Sequence, residues 1–86
     1  MRHVTFYPDA FKDYIKWKET NEEIFDKINT LILDSLRDPF KGLGKPEPLK
    51  GNWKGYCSRR ITGEHRLIYK VDQEHIIVVS CHGHYV

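Results

Sequence analysis

Cysteine is scarce in this chain of 86 residues: only Cys57 and Cys81 occur. Two cysteines cannot form the dense, evenly paired framework that holds small secreted domains together, so reduced thiols in a cytoplasmic protein are expected. The first residues, Met1-Arg2-His3-Val4-Thr5-Phe6-Tyr7, lack the basic-then-apolar run of a secretory signal. No apolar stretch approaches the ~18 residues that span a bilayer, so no membrane association is expected. Internal repeats and low-complexity segments are missing as well. What remains is ordinary globular material, 40% hydrophobic and 30% charged, which excludes an intrinsically disordered chain. A chain of this length reads as one domain, residues 1–86, with a single core.

Charge of one sign is not in large excess, since the formal net charge is +2, but it is unevenly spread. Residues 1–36 hold five Lys or Arg against seven Asp or Glu, and residues 71–86 hold no Lys or Arg at all. Residues 37–70 hold nine basic residues against three acidic ones. This basic segment also carries Trp53 and Tyr56, a combination that suits a phosphate backbone with stackable bases. Charge alone equally allows a solvated basic face.

Periodicity sets the order of elements. Residues 3–7 read as a short β-branched strand stopped by Pro8-Asp9. Phe11, Tyr14, Ile15 and Trp17 then follow helical spacing, with Pro8 and Asp9 suited to a helix start. Thr20-Asn21 breaks the pattern, and Asn21 can cap a second helix with the stripe Ile24, Ile28, Leu31, Ile32 and Leu36, ended by Asp38-Pro39. Residues 40–52 contain three Gly and two Pro and read as a loop. Residues 55–61, 65–71 and 76–82 read as strands joined by the short turns Thr62-Gly63-Glu64 and Asp72-Gln73-Glu74, an antiparallel meander. The expected fold is α+β, in the order β-α-α-β-β-β, with the helix pair packed on one face of a twisted, mainly antiparallel sheet and the first strand beside a meander strand.

Several side chains in the loop and strands have the types needed for phosphodiester chemistry. Glu47, in Gly44-Lys45-Pro46-Glu47-Pro48, is set between two prolines and flanked by Lys45 and Lys50. It suits a general base, although a lone Glu is more commonly a surface charge paired with lysine. Arg59, Arg60 and Arg66 lie on adjoining strands, and two of them pointing one way would make a guanidinium clamp for a phosphate. Turn register decides whether Arg59 or Arg60 faces Arg66, and the alternative is a charged, water-facing sheet surface. Cys81-His82-Gly83-His84-Tyr85 has two readings. Cys and His at short spacing suit half of a zinc site, but Cys57, His3, His65 and His75, which would have to complete it, show no paired spacing. The other reading takes His84 as a proton donor beside Tyr85, where a bare His-Tyr end is otherwise a frayed tail. Together, Glu47, Arg60 with Arg66, and His84 supply the base, the cations and the acid that RNA cleavage by internal transfer requires. The attacking group is the 2′-OH of the RNA, so no metal and no cofactor are expected.

Asp38-Pro39-Phe40, Gly42-Leu43-Gly44-Lys45-Pro46-Glu47-Pro48-Leu49, Ser58-Arg59-Arg60-Ile61, Glu64-His65-Arg66-Leu67-Ile68-Tyr69 and the terminal His84-Tyr85, in this order, resemble the Txe/YoeB toxins of the RelE/ParE superfamily nearly end to end. The resemblance implies a RelE-like fold and a ribosome-dependent mRNA endonuclease, typically dimeric. Such a toxin is silenced by a cognate antitoxin of the YefM/Axe type and touches operator DNA only through the toxin–antitoxin complex. It further implies Glu47 as general base and His84 as general acid. Arg66 with Arg60 would stabilise the transition state, Tyr85 would orient or stack substrate, and Lys45, Lys50 and Arg59 would contact RNA phosphates. The chain departs from the pattern at Cys57, where an aromatic is common, at His82-Gly83, where an Arg-Tyr pair is common, and at Val86, which follows the usual final tyrosine. Two other functions stay open: a ParE-like poison of DNA gyrase that cuts no RNA, and a passive RNA-binding domain.

Overall fold

Helix formation begins where the sequence offers a backbone donor that would go unsatisfied in any case. In the computed structural model, which describes residues 1–83, Pro8 opens helix α1 (Pro8–Thr20) after the strand β1 (His3–Phe6). Proline fits there because the first turn has no internal acceptor for its missing N–H. Asn21 serves two helices at once. Its backbone N–H donates to the Trp17 carbonyl and closes α1, while its side-chain oxygen accepts from the Ile24 N–H and caps α2 (Glu22–Arg37). Glu22 and Glu23 in the first turn and Arg37 in the last match the helix dipole. The Asp38 N–H bonds back to the Asp34 carbonyl at the end of α2, and Pro39 follows.

The sheet has five strands in the order β1-β5-β4-β3-β2, comprising β2 (Glu47–Pro48), β3 (Tyr56–Arg60), β4 (Arg66–Val71) and β5 (His75–Ser80). The meander is antiparallel, and β1 pairs parallel with β5, His3 opposite His75 and Phe6 opposite Val78. Expected and observed architecture agree in class and order, with one addition. The 40–52 stretch, expected as pure loop, contains the two-residue strand β2 on the sheet edge and a 3-10 turn at Gly51–Trp53. Two residues hold no alternation to read, and Pro48 is tolerated because an edge strand leaves one side without ladder bonds.

The core lies between the helices and one sheet face. Ile28, Leu31 and Ile32 of α2 and Ala10 of α1 pack with Cys57, Leu67, Tyr69, Ile76 and Val78. By the two-residue pleat, the neighbours of these strand residues, namely Ser58, Arg60, Arg66, Ile68, Lys70 and Ile77, belong to the opposite face, away from α1 and α2, where Ser58 and Ile68 are nevertheless buried.

Candidate active site

Register settles which arginine faces which. Arg60 is directly opposite Arg66 across β3 and β4, and Arg59 is opposite Leu67. Arg60 and Arg66 therefore share the helix-free face, Arg60 exposed and Arg66 half-buried. Glu47 is opposite Ser58, two residues along β3 from Arg60, so the pleat gives it the same face. Glu47, Lys45 and Lys50 are all exposed. The structure thus brings one carboxylate and two guanidinium groups onto neighbouring rungs of one surface.

The segment that carries Glu47 is held by its own backbone. Gly44 accepts from the Arg60 N–H at 2.6 Å and sits at φ +76°, and a Cβ there would lie 2.8 Å from the Leu31 side chain and 3.1 Å from the Arg60 carbonyl. Only glycine fits so close an approach in that conformation. Lys45 follows at φ 53°, a left-handed position that a non-glycine residue adopts only when its surroundings hold it there. On the other side of Glu47, the Leu49 N–H donates to the Tyr56 carbonyl.

Arg59 is the correction. Expected among the RNA contacts, it is fully buried on the core face, 0% exposed, and cannot meet a nucleic acid there. Its Nη1 donates to Asp34 Oδ2 at 2.6 Å and to the Leu43 carbonyl, its Nη2 donates to the Asp38 and Lys41 carbonyls, and its Nε donates to the Tyr69 hydroxyl at 2.8 Å. Tyr69 in turn donates to the Pro39 carbonyl. A buried guanidinium is tolerated only when charge and donors are both satisfied, and here the end of α2, the start of the loop and Tyr69 of β4 supply the partners. The Leu43 N–H and then the Arg59 guanidinium hold the Asp34 carboxyl down at about 2. Burial pushes the Tyr69 hydroxyl up, partly offset by Arg59.

Arg66 spends Nη1 on its own turn, donating to the Thr62 carbonyl at 2.8 Å and more weakly to those of His65 and Gly63. Its backbone N–H donates to the Gly83 carbonyl at 2.9 Å. The Gly83 N–H donates to Nδ1 of buried His65 at 2.8 Å, which assigns the His65 proton to Nε2. Trp17 packs edge-on against His65 and donates its indole N–H to the Cys81 carbonyl. The sequence suggested His65 at this end of the chain only as one completion of a zinc site and gave Trp17 no role there, because their partners lie 18 and 64 residues away. His84 and Tyr85, the expected acid and its neighbour, lie outside the described residues.

The thiols are unsuited to chemistry. Both are buried, and burial pushes Cys81 up to about 12 and raises Cys57. Among the described residues, no three His, Cys, Asp or Glu side chains converge as metal ligands, and no helix is long and apolar enough to cross a membrane.

The protein is a small α+β domain with a helix pair on one face of a five-stranded sheet and two guanidinium groups and a carboxylate on the other, and comparison with known proteins identifies its family. Residues 6–85 match the model of the YoeB-like toxin of bacterial type II toxin-antitoxin system, and the chain belongs to that family. It is 51% identical over 77 residues to toxin YoeB of Escherichia coli K12, covering 90% of this chain and 92% of that one. A YoeB/ParE toxin from Agrobacterium tumefaciens superposes with a TM-score of 0.94 at 45% identity, over 99% of this chain and 100% of its own. A YoeB dimer and a YoeB–YefM complex, both from Staphylococcus aureus, superpose with TM-scores of 0.91 and 0.90 at 46% identity. The dimer covers 98% of each chain and the complex 99% of each.

Proposed function

We propose that this toxin is a ribosome-dependent endoribonuclease that halts translation by cutting mRNA through its own 2′-OH. The observation that carries the reading is the shared face: Arg60 stands opposite Arg66, and Glu47 opposite Ser58 one rung further along. In this scheme Glu47 takes the 2′-O–H proton, the 2′-oxygen forms a bond to phosphorus, and the P–O5′ bond breaks. His84 gives a proton to the departing 5′-oxygen. Arg60 and Arg66 offset the charge that builds on the phosphoryl oxygens, a task for preorganised cations near a partly dehydrated surface. Lys45 and Lys50, on either side of Glu47, meet flanking phosphates, and Tyr85 orients a base. The products are a 2′,3′-cyclic phosphate and a 5′-OH, and every proton is moved by a side chain, so the step draws on no metal or cofactor.

The Staphylococcus aureus relatives form a dimer and a complex with YefM, and we extend both to this chain. It pairs with itself and is neutralised by a YefM/Axe-like antitoxin, through which alone it reaches operator DNA. It acts in the cytoplasm, where ribosomes and mRNA are. The test is to incubate the purified protein with translating ribosomes and map both ends of the cut mRNA. A cyclic or 3′-phosphate with a 5′-OH is expected. Ends of 5′-phosphate and 3′-OH overturn the mechanism, and growth arrest with no cut mRNA returns the protein to the gyrase-poison class.

A further inference from the structure

One rung beyond Glu47 and Ser58, on the same open face, four side chains form a row that the proposed cleavage step does not use. Tyr56 is opposite Lys70 across β3 and β4, and Lys70 is opposite Ile77 of β5. The Lys70 ammonium lies 5.4 Å from the centre of the Tyr56 ring and donates to the Tyr7 hydroxyl at 3.5 Å. Trp53, from the 3-10 turn, packs edge-on against Tyr56 with centroids 5.2 Å apart. Tyr7 is 43% exposed, and Trp53, Tyr56 and Lys70 are half-buried. The Tyr7 hydroxyl, followed by that of Tyr56, favours the charged form of Lys70.

Resting on the nuclease reading, we propose that Trp53, Tyr56 and Lys70 form a binding subsite for the nucleotide next to the cleaved bond. The rings stack its base and the ammonium meets its phosphate.

Position and charge argue for a single-stranded ribonucleotide as the occupant. Tyr56 is two residues from Ser58 along β3, a step of ~6.6 Å in a strand, so the row continues the line that runs from Arg60–Arg66 through Glu47. Glu47 is the only acidic residue between positions 45 and 60, against the exposed Lys45, Lys50, Lys54 and Arg60. Aromatic rings beside cations along such a groove are how proteins hold unpaired strands, because every base has a π-face and every linkage a charge.

The probe is a fluorescein-labelled 2′-O-methyl hexanucleotide of mixed sequence, which cannot be cut because it has no free 2′-OH. It is titrated with the full chain and followed by anisotropy. Tyr56→Leu and Lys70→Gln are each expected to weaken binding ~10-fold, the size of a lost base stack or phosphate contact, while Tyr56→Phe, which keeps the ring, stays within ~2-fold. Lys70→Gln also flattens the dependence on salt. Lys12→Gln, on the exposed side of α1, removes the same charge elsewhere and leaves affinity unchanged. Thermal melts establish that each variant is folded. Wild-type affinity in folded Tyr56→Leu and Lys70→Gln proteins, or no binding by the wild-type chain, overturns the subsite. Variants that lose affinity only for the antitoxin assign the row to that partner and overturn it equally. Because the probe is never cleaved, a chain that binds it in this pattern yet leaves mRNA intact on ribosomes refutes the nuclease reading alone.

Discussion

Arg59 Nη1 and Asp34 Oδ2 lie 2.6 Å apart, joining the last turn of α2 to the end of β3 across 25 residues of chain. With Arg59 wholly inside the molecule, the pair fastens the start of the loop whose far end carries Glu47. Arg59→Ala is expected to cost about 3 kcal/mol or more in urea unfolding, since it strips the Tyr69 hydroxyl, the Asp34 carboxylate and three loop carbonyls of a shared donor at once. A folded, fully stable Arg59→Ala protein with weakened RNA binding would restore the RNA role expected from the sequence.

The same pair sets a pH dependence. The Asp34 carboxyl is held near 2, below the ordinary value of 3.8, so its contribution to stability is present above about 4 and is lost as the pH falls from there through 2. Chemical unfolding measured between pH 6 and pH 2 is expected to show a stability loss that Asp34→Asn lacks. Identical pH slopes in the two proteins would remove Asp34 from the acid response.

Substitution of the proposed acid and base is expected to separate chemistry from folding. Glu47→Gln and His84→Gln each lower single-turnover cleavage on saturating ribosomes by about 10² to 10⁴, the usual worth of general acid–base catalysis. Arg66→Ala falls by a comparable factor, and Arg66→Lys recovers part of it, because an ammonium cannot reproduce the guanidinium fork. Lys50→Ala chiefly weakens RNA binding and lowers its salt dependence. Near-normal cleavage by a folded Glu47→Gln protein strikes Glu47 from the mechanism.

His65 is expected to act through the Gly83 N–H that it accepts at 2.8 Å. His65→Leu leaves that donor without its partner, at a cost of about 1–3 kcal/mol. His65→Asn, which can offer an oxygen close to the Nδ1 position, retains most of the stability. Hydrogen exchange at the Gly83 amide is the direct measure: fast in the Leu variant, slow in the Asn variant. Equal protection in both would show that the bond does not hold this end of the chain.

Much of the fold was legible because its signals are local. Pro8, Asn21 and the stripe from Ile24 to Leu36 mark two helices without reference to anything distant, and the turns at Thr62-Gly63-Glu64 and Asp72-Gln73-Glu74 mark the meander. The site was legible as a set of residue types but not as an arrangement. Arg59 and Arg60 are chemically identical neighbours, and a register change of one residue would exchange core and surface between them. Arg59 belongs inside only because Asp34, Tyr69 and the carbonyls of Asp38, Lys41 and Leu43 surround it, and those partners are spread from position 34 to position 69. Strand β2 was hidden for the opposite reason: its two residues pair with β3 through position alone, without a hydrophobic pattern.

The parallel pairing of β1 with β5 also orders events in time. Among the described residues β1 has β5 as its one sheet neighbour, about 70 residues later in the chain, so β1 waits without that partner while the helices and the rest of the meander emerge. Contacts this distant in sequence are closed late and at a cost in loop entropy. A ribosome making this chain therefore holds an open sheet until β5 has been translated, and its β1 edge is unpaired throughout that interval. For a protein proposed to act on ribosomes, late closure keeps the sheet incomplete while the chain is still attached to the ribosome that makes it.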